Sequence, residues 1–437
     1  MKGLGAIAAF VAALALGAAW PWFSSHRAQA AEDAFAPVYQ DYKQRDRIIA
    51  FDEAEARHDP FDQITLRMVA GEYLQRFREI GDLNDVTRAH AAAVRSLRLQ
   101  PSGNVQALDT LASSEIAFHH FRAALADERA SLEADPSDDD ARAQIASILM
   151  ELGRYEDAGR TLARASGPEE SPTWMSVRAR YEELTGDLAV ARSEMRRATA
   201  IVDQMLSVSA YTRSWYHMRN AQLAFEAGDT RSAAAEFGEA LRIFPDNAMT
   251  LLFEAKFYRA QRDWHRALAA AARSADLYPL PQALGYVADA QRALGDEDAA
   301  RRTDALIRAE QRLLNTQGIN DRLLAMYYAE HGEHLDDALR EARSDFAKRG
   351  DEIYSDDTMA WVLAKLGRWN AARAFANRAL RYDTTDPELQ YHAGVIAWRT
   401  GHLQEARRRL SAALAENPEF HPVYAADARR ILASLAR

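Results

Sequence analysis

The residues best placed by type and spacing to do chemistry are His331 and His334, which Glu330 and Glu333 flank. Imidazoles three positions apart can share one helical face and bind a metal ion together. Gly332 stands between them and marks a turn, so they read instead as polar residues around a loop, and no metal site is expected. His119-His120 reads the same way, as local structure at a turn. The acidic run from Asp135 to Asp140 lacks the central glycine and distal glutamate of a calcium loop, and reads as helix N-terminal capping around Pro136. Arg407, Arg408 and Arg409, beside Glu405, form a charged outer face. The sequence contains no Gly-rich loop ending in Gly-Lys-Ser/Thr, no His-Glu-x-x-His and no Gly-x-Ser-x-Gly elbow. It has no cysteine, which excludes disulfides, thiolate zinc sites and cysteine nucleophiles. The expectation is a protein that is not an enzyme and carries no cofactor. A cryptic enzyme would instead need acid, base and nucleophile clustered in a closed pocket.

The elements that position these side chains follow from length, charge and period. At 437 residues the chain is either several domains or one elongated array. Its 64 acidic against 54 basic residues give a net charge of −10, which argues against phosphate backbones, so nucleic acid is not an expected partner. At the N-terminus Lys2 precedes an apolar run from Leu4 to Trp20, then Pro21 and a polar stretch ending Ala28-Gln29-Ala30. This is the layout of an export signal, with Ala28 and Ala30 small enough for the cleavage pocket and Ala31 as the mature start. The competing reading is an uncleaved anchor, with Trp20 and Trp22 at the membrane interface. Both readings place the bulk of the chain outside the cytoplasm: in the periplasm if the signal is cleaved, or anchored in the inner membrane and facing the periplasm if it is not.

Glycines, alanines and prolines recur at close to 34 residues, as from Gly367 to Gly401 and from Pro245 to Pro279. The turn within each unit falls at Gly81, His119, Gly153, Gly186, Gly228, Arg262, Gly295, Gly332, Gly367 and Gly401. Each unit reads as two antiparallel helices, the first closed at that turn by a residue of positive φ. The second is ended by a proline such as Pro101, Pro136, Pro245, Pro279 or Pro418. Alanines five and twelve positions after the turn, Ala158 and Ala165, Ala233 and Ala240, Ala406 and Ala413, mark close helix contacts. Leu162, Phe237 and Leu410 make the apolar stripe between them. The longer intervals, Gly186 to Gly228 and Gly295 to Gly332, predict extended helices or loops. The organisation expected is a signal or anchor over 1–30, a degenerate capping half-repeat over 31–60, repeat blocks over 61–165 and 174–420, and a capping helix over 421–437.

Period and anchor residues together resemble the tetratricopeptide repeat (TPR), over roughly residues 61 to 420. The resemblance implies an all-α, right-handed superhelical solenoid of about ten helix-turn-helix repeats. It also implies a concave groove lined by first helices, where ligands meet side chains 13, 10, 6 and 3 positions before the turn. Carried over by residue, those offsets give Trp215, Met218, Phe225, Lys256, Arg259, Arg322, Met326, Trp361, Tyr391 and Trp398 as candidate partner contacts. Aromatic and methionine side chains interleaved with Lys256, Arg259, Arg292 and Arg322 suit an apolar segment carrying negative charge. The same Trp and Met spacing also fits packing between repeats. The expected function is a non-catalytic scaffold or adaptor of the cell envelope that holds a protein or peptide. The alternative is an envelope protein binding a small molecule, metal or glycan, with Trp215, Trp361 and Trp398 as stacking platforms.

Overall fold

The computed structural model describes residues 41–167, 171–316 and 322–436, and among them the chain forms 22 helices and no strand. The expected export signal with Ala28 and Ala30 lies outside the described residues. Helix α1 (Asp41–His58) stands ahead of ten antiparallel pairs. The first five are α2 (Gln63–Ile80) with α3 (Leu83–Leu99), α4 (Val105–Ala117) with α5 (Phe121–Ala134), α6 (Asp139–Glu151) with α7 (Tyr155–Leu162), α8 (Pro172–Thr185) with α9 (Leu188–Gln204), and α10 (Ala210–Glu226) with α11 (Thr230–Ile243). The next five are α12 (Ala248–Ala260) with α13 (Trp264–Leu277), α14 (Pro281–Ala293) with α15 (Glu297–Thr316), α16 (Arg322–His331) with α17 (Leu335–Arg349), α18 (Ile353–Lys365) with α19 (Trp369–Ala379), and α20 (Pro387–Arg399) with α21 (Leu403–Glu416). Helix α22 (Tyr424–Leu435) closes the series.

The ten sequence-assigned turns all carry positive φ, from Gly81 at 67° to Gly401 at 82°. At each of the last nine the following residue donates its amide five positions back, as Arg154 does to Leu149 O at 2.8 Å and His402 to Ala397 O at 2.9 Å. That bond closes a helix only when the residue between is left-handed. His119 at 59° and Arg262 at 60° adopt the conformation without being glycine. Pro101, Pro136, Pro245, Pro279 and Pro418 each stand two residues beyond the end of a second helix. The two long intervals are filled by long second helices, the 17 residues of α9 and the 20 of α15.

Ala158, Ala233, Ala240, Ala406 and Ala413 are completely buried, so the helix pairs approach as the methyl spacing predicts. Gly394 tightens the last pair further, since a Cβ there would lie 2.8 Å from the Leu410 side chain. Ala165 departs from the expectation: α7 stops at Leu162, and Ala165 is only half-buried. The cause is local, because Asp139 Oδ2 on α6 accepts the amides of Ser166 and Gly167 at 2.8 and 2.7 Å and draws the chain off the helical path.

The chain divides into two compact units. One comprises the chain up to Arg178 with Glu194–His217 and Glu239–Asn247, and the other comprises Ala179–Ser193, Met218–Gly238 and Ala248–Arg437. In the second unit each first helix meets the next: α12 with α14, α14 with α16, α16 with α18, α18 with α20, and α20 with α22. In the first unit α2 meets α4 in the same way. Successive second helices pack less closely among the described residues, so the first helices form the inner row of each unit.

Candidate partner-binding groove

Three basic candidates project from first helices of the second unit, and each already has an acidic partner there. Lys256 on α12 places Nζ 2.8 Å from Glu388 on α20. Arg259, one turn on, reaches Asp289 on α14 at 2.8 Å and Glu330 on α16 at 3.0 Å, and its third nitrogen meets His421 Nε2 at 3.1 Å. Arg322 at the start of α16 pairs with Glu352, the N-cap of α18, at 2.7 Å and lies over the Tyr354 ring. The acids are held there by their own helices: Glu352 caps Ser355 N, and Glu388 follows the Asp386 N-cap of α20.

Burial alone would discharge such groups, and pairing reverses that for most of them. Burial works against charge on Lys256 and Arg259, yet Glu388 in one case and Asp289 with Glu330 in the other raise both above their ordinary values. Burial pushes Asp289 and Glu330 up, and Arg259 outweighs it, so both sit below the usual carboxylate range. His331 is disfavoured as a cation by burial, but its 2.7 Å bond to Asp289 raises it overall. It is therefore a member of the ionic network, rather than the solvated loop residue the sequence suggests. His421 goes the other way, lowered by burial and by Arg259. Asp386 is raised to about 6 by burial and by Glu388.

The aromatic candidates divide by exposure. Trp361 is buried, stacked on His392 at 4.1 Å and bonded through Nε1 to Tyr424 Oη at 3.2 Å. Tyr391 is buried and stacked on Tyr424 at 4.4 Å, with its hydroxyl donating to Asp427 at 2.9 Å. Both therefore join α18 and α20 to the terminal helix. Met218 is completely buried. Phe225 is half-buried and edge-on to Phe257 at 5.6 Å. Met326 and Trp398 are likewise half-buried, on α16 and α20. In the first unit Trp215 is buried edge-on to Tyr216, and its indole N–H has no acceptor among the described residues.

The reading from sequence did not pair the basic candidates with the acids that neutralise them. Asp289 lies six residues before Gly295, the offset of Lys256, and Glu388 thirteen before Gly401, the offset of Trp215, so the groove offsets select both acids. Among the described residues no three His, Asp or Glu side chains are arranged to hold a metal ion.

The family model for the tetratricopeptide repeat matches residues 116–181 and 363–435, which contain α5 to α7 and α19 to α22. Over those two stretches the chain matches the tetratricopeptide repeat. Repeats of this kind commonly scaffold protein interactions and are generally non-catalytic. Solved structures similar to this chain include a tetratricopeptide repeat protein from Parabacteroides merdae, at 15% identity and TM-score 0.41 over 55% of this chain and 90% of that one. Yeast Tom70 follows at 11% identity and TM-score 0.38, over 91% and 95%. Pseudomonas aeruginosa pilF stands at 18% identity and TM-score 0.36, over 50% and 92%. No curated protein matches the chain in sequence.

Proposed function

We propose that this chain is a non-catalytic scaffold of the cell envelope that holds a protein or peptide partner along its inner rows of first helices. The observation that carries the reading is the succession α12, α14, α16, α18 and α20, each first helix packed on the next, so that their side chains make one continuous surface within the second unit. A partner that is extended or helical can span several helices there and add modest contacts into useful affinity. Envelope location rests on the Lys2, apolar run and Ala28-Gln29-Ala30 pattern. Among the described residues no helix is long and apolar enough to cross a membrane.

The test is affinity capture from an envelope fraction, comparing wild type with a Met326→Glu, Trp398→Glu double variant whose melting curve shows it folded. A partner recovered by wild type and lost by the variant is the expected result. Equal recovery contradicts the groove. N-terminal sequencing should find Ala31 as the first residue, and a cytosolic chain beginning at Met1 contradicts export.

A further inference from the structure

One imidazole seats the loop that leads from α21 into α22. His421 is 3% exposed, and both of its ring nitrogens are engaged. Nδ1 accepts the amides of Val423 and Tyr424, each at 3.2 Å, where α22 begins. Nε2 stands 3.1 Å from Arg259 Nη1 on α12 and 3.7 Å from Glu330 Oε2 on α16. The next residue, Pro422, accepts from Arg262 through its carbonyl at 2.7 Å. The His421 ring lies flat on Tyr424, with centroids 3.9 Å apart and planes at 15°. Tyr424 in turn stacks on Tyr391 of α20 and accepts the indole N–H of Trp361 on α18. The docking of α22 therefore runs through this one side chain.

Only the neutral ring fits. Two backbone N–H groups converge on Nδ1, so the single proton of the neutral imidazole belongs on Nε2, where Glu330 can accept it. Arg259 has donors alone and already gives one to Glu330 at 3.0 Å, so it brings positive charge and no acceptor. A second proton would sit on Nδ1, against the Val423 and Tyr424 amides, and would put an imidazolium 3.1 Å from a guanidinium. The other charges around the ring are committed elsewhere. Glu388 on α20 pairs with Lys256, Asp289 on α14 with Arg259 and His331, and Lys365 on α18 meets the Glu330 carbonyl at 3.4 Å. On α22 itself Asp427 takes the Tyr391 hydroxyl and Arg430. Burial and Arg259 accordingly hold His421 below its ordinary value.

We infer that His421 is a pH-operated latch for α22: the neutral ring seats the helix on α18 and α20, and the doubly protonated ring expels it and uncovers Trp361 and Tyr391. A released histidine takes its proton near its ordinary value of about 6.5, whereas the docked one resists it to lower pH. Docking is therefore complete above about pH 6.5 and is lost as pH falls below it. His331 titrates in the opposite sense. Its bond to Asp289 gains from protonation, and it joins α14 to α16 rather than holding α22. The inference does not depend on the scaffold reading. What it adds is an aromatic face of the second unit that acid exposes and neutral pH covers.

The experiment is hydrogen–deuterium exchange of the full chain at pH 7.5 and pH 5, read by mass spectrometry and corrected for the intrinsic rate at each pH. Peptides from α22 report the latch, and peptides from α14 serve as the internal reference. His421→Asn supplies an oxygen that can accept both amides and does not titrate, and His331→Asn is the control histidine. On acidification α22 protection should fall roughly tenfold in wild type and in His331→Asn, while α14 changes less than about twofold. In His421→Asn α22 protection should stay within about twofold. Protection of α22 that is independent of pH in wild type overturns the inference whatever the variants do. An equal fall in His421→Asn, a fall of the same size in α14, or loss of the pH dependence in His331→Asn overturns it too. His421→Gln replaces the asparagine variant if that one is unfolded at pH 7.5. No partner enters the measurement, so each of these outcomes leaves the scaffold reading where it stands.

Discussion

Asp109 holds its proton to about pH 7 because burial and the neighbouring Asp138 and Asp140 disfavour its charge more than Ser131 favours it. Below about pH 4 an aspartate is protonated whether the chain is folded or not, and contributes nothing to the pH dependence. Between pH 4 and 7 the unfolded chain releases this proton while the folded one retains it. Stability is therefore lost as pH rises through that window, and the full penalty stands above it. Asp109→Asn should be close to neutral at pH 4.5 and more stable than wild type by about 1–3 kcal/mol at pH 8. Urea denaturation at the two pH values checks this, and equal stabilities at pH 8 would contradict this balance at Asp109. Such charges are invisible to a charge count, because the −10 of the chain does not say which acids lie beside a cation. Asp138 to Asp140 were legible as a capping motif, and Asp138 does cap α6, whereas their proximity to Asp109 depends on how α4 and α6 pack.

At the scale of the element, the turns were the most legible feature, because a left-handed residue is needed at the end of each first helix and glycine supplies it at low cost. Period alone located His119 and Arg262, where composition gives no signal. What the period did not foretell is the early end of α7, since an Asp139 side chain taking two loop amides is particular to that one repeat. Gly394 has a different role: it is helical, and the Leu410 side chain and backbone amide stand 2.8 and 3.2 Å from where a Cβ would be. Gly394→Ala should cost about 1–3 kcal/mol by overpacking α20 against α21. Gly367→Ala, at φ 73° with open space around it, should cost about 1–2 kcal/mol from backbone strain alone. Adding Leu410→Ala should relieve the first and not the second, and thermal melting of the double variants measures the difference.

At the scale of the whole molecule, the number and order of helix pairs were legible, and the long-range contacts within the second unit were not. Asn417, in the loop after α21, is buried and donates to Phe225 O at the end of α10 at 2.6 Å. Thr384, after α19, donates to Glu183 O on α8 at 3.1 Å. Arg262 donates to Pro422 O at 2.7 Å, and Gly228 leaves only 3.0 Å between a Cβ and Glu416 O. These partners lie some 160 to 200 positions apart, far beyond the period that identifies the repeat. Asn417→Ala should lower stability by about 1 kcal/mol, since Phe225 O then keeps only the Gly228 amide at 2.9 Å, and amide exchange at the α10 end should rise with it.

The central claim is that the inner row of first helices meets the partner. A photo-reactive benzophenone residue placed at Met326 or Trp398, on α16 and α20, tests it against the same residue at Leu306 or Leu403, exposed on second helices α15 and α21. Illumination in living cells should cross-link the inner positions to one common protein and leave the outer positions without that product. The same product from Leu306 and Leu403, or none from Met326 and Trp398, would contradict the account.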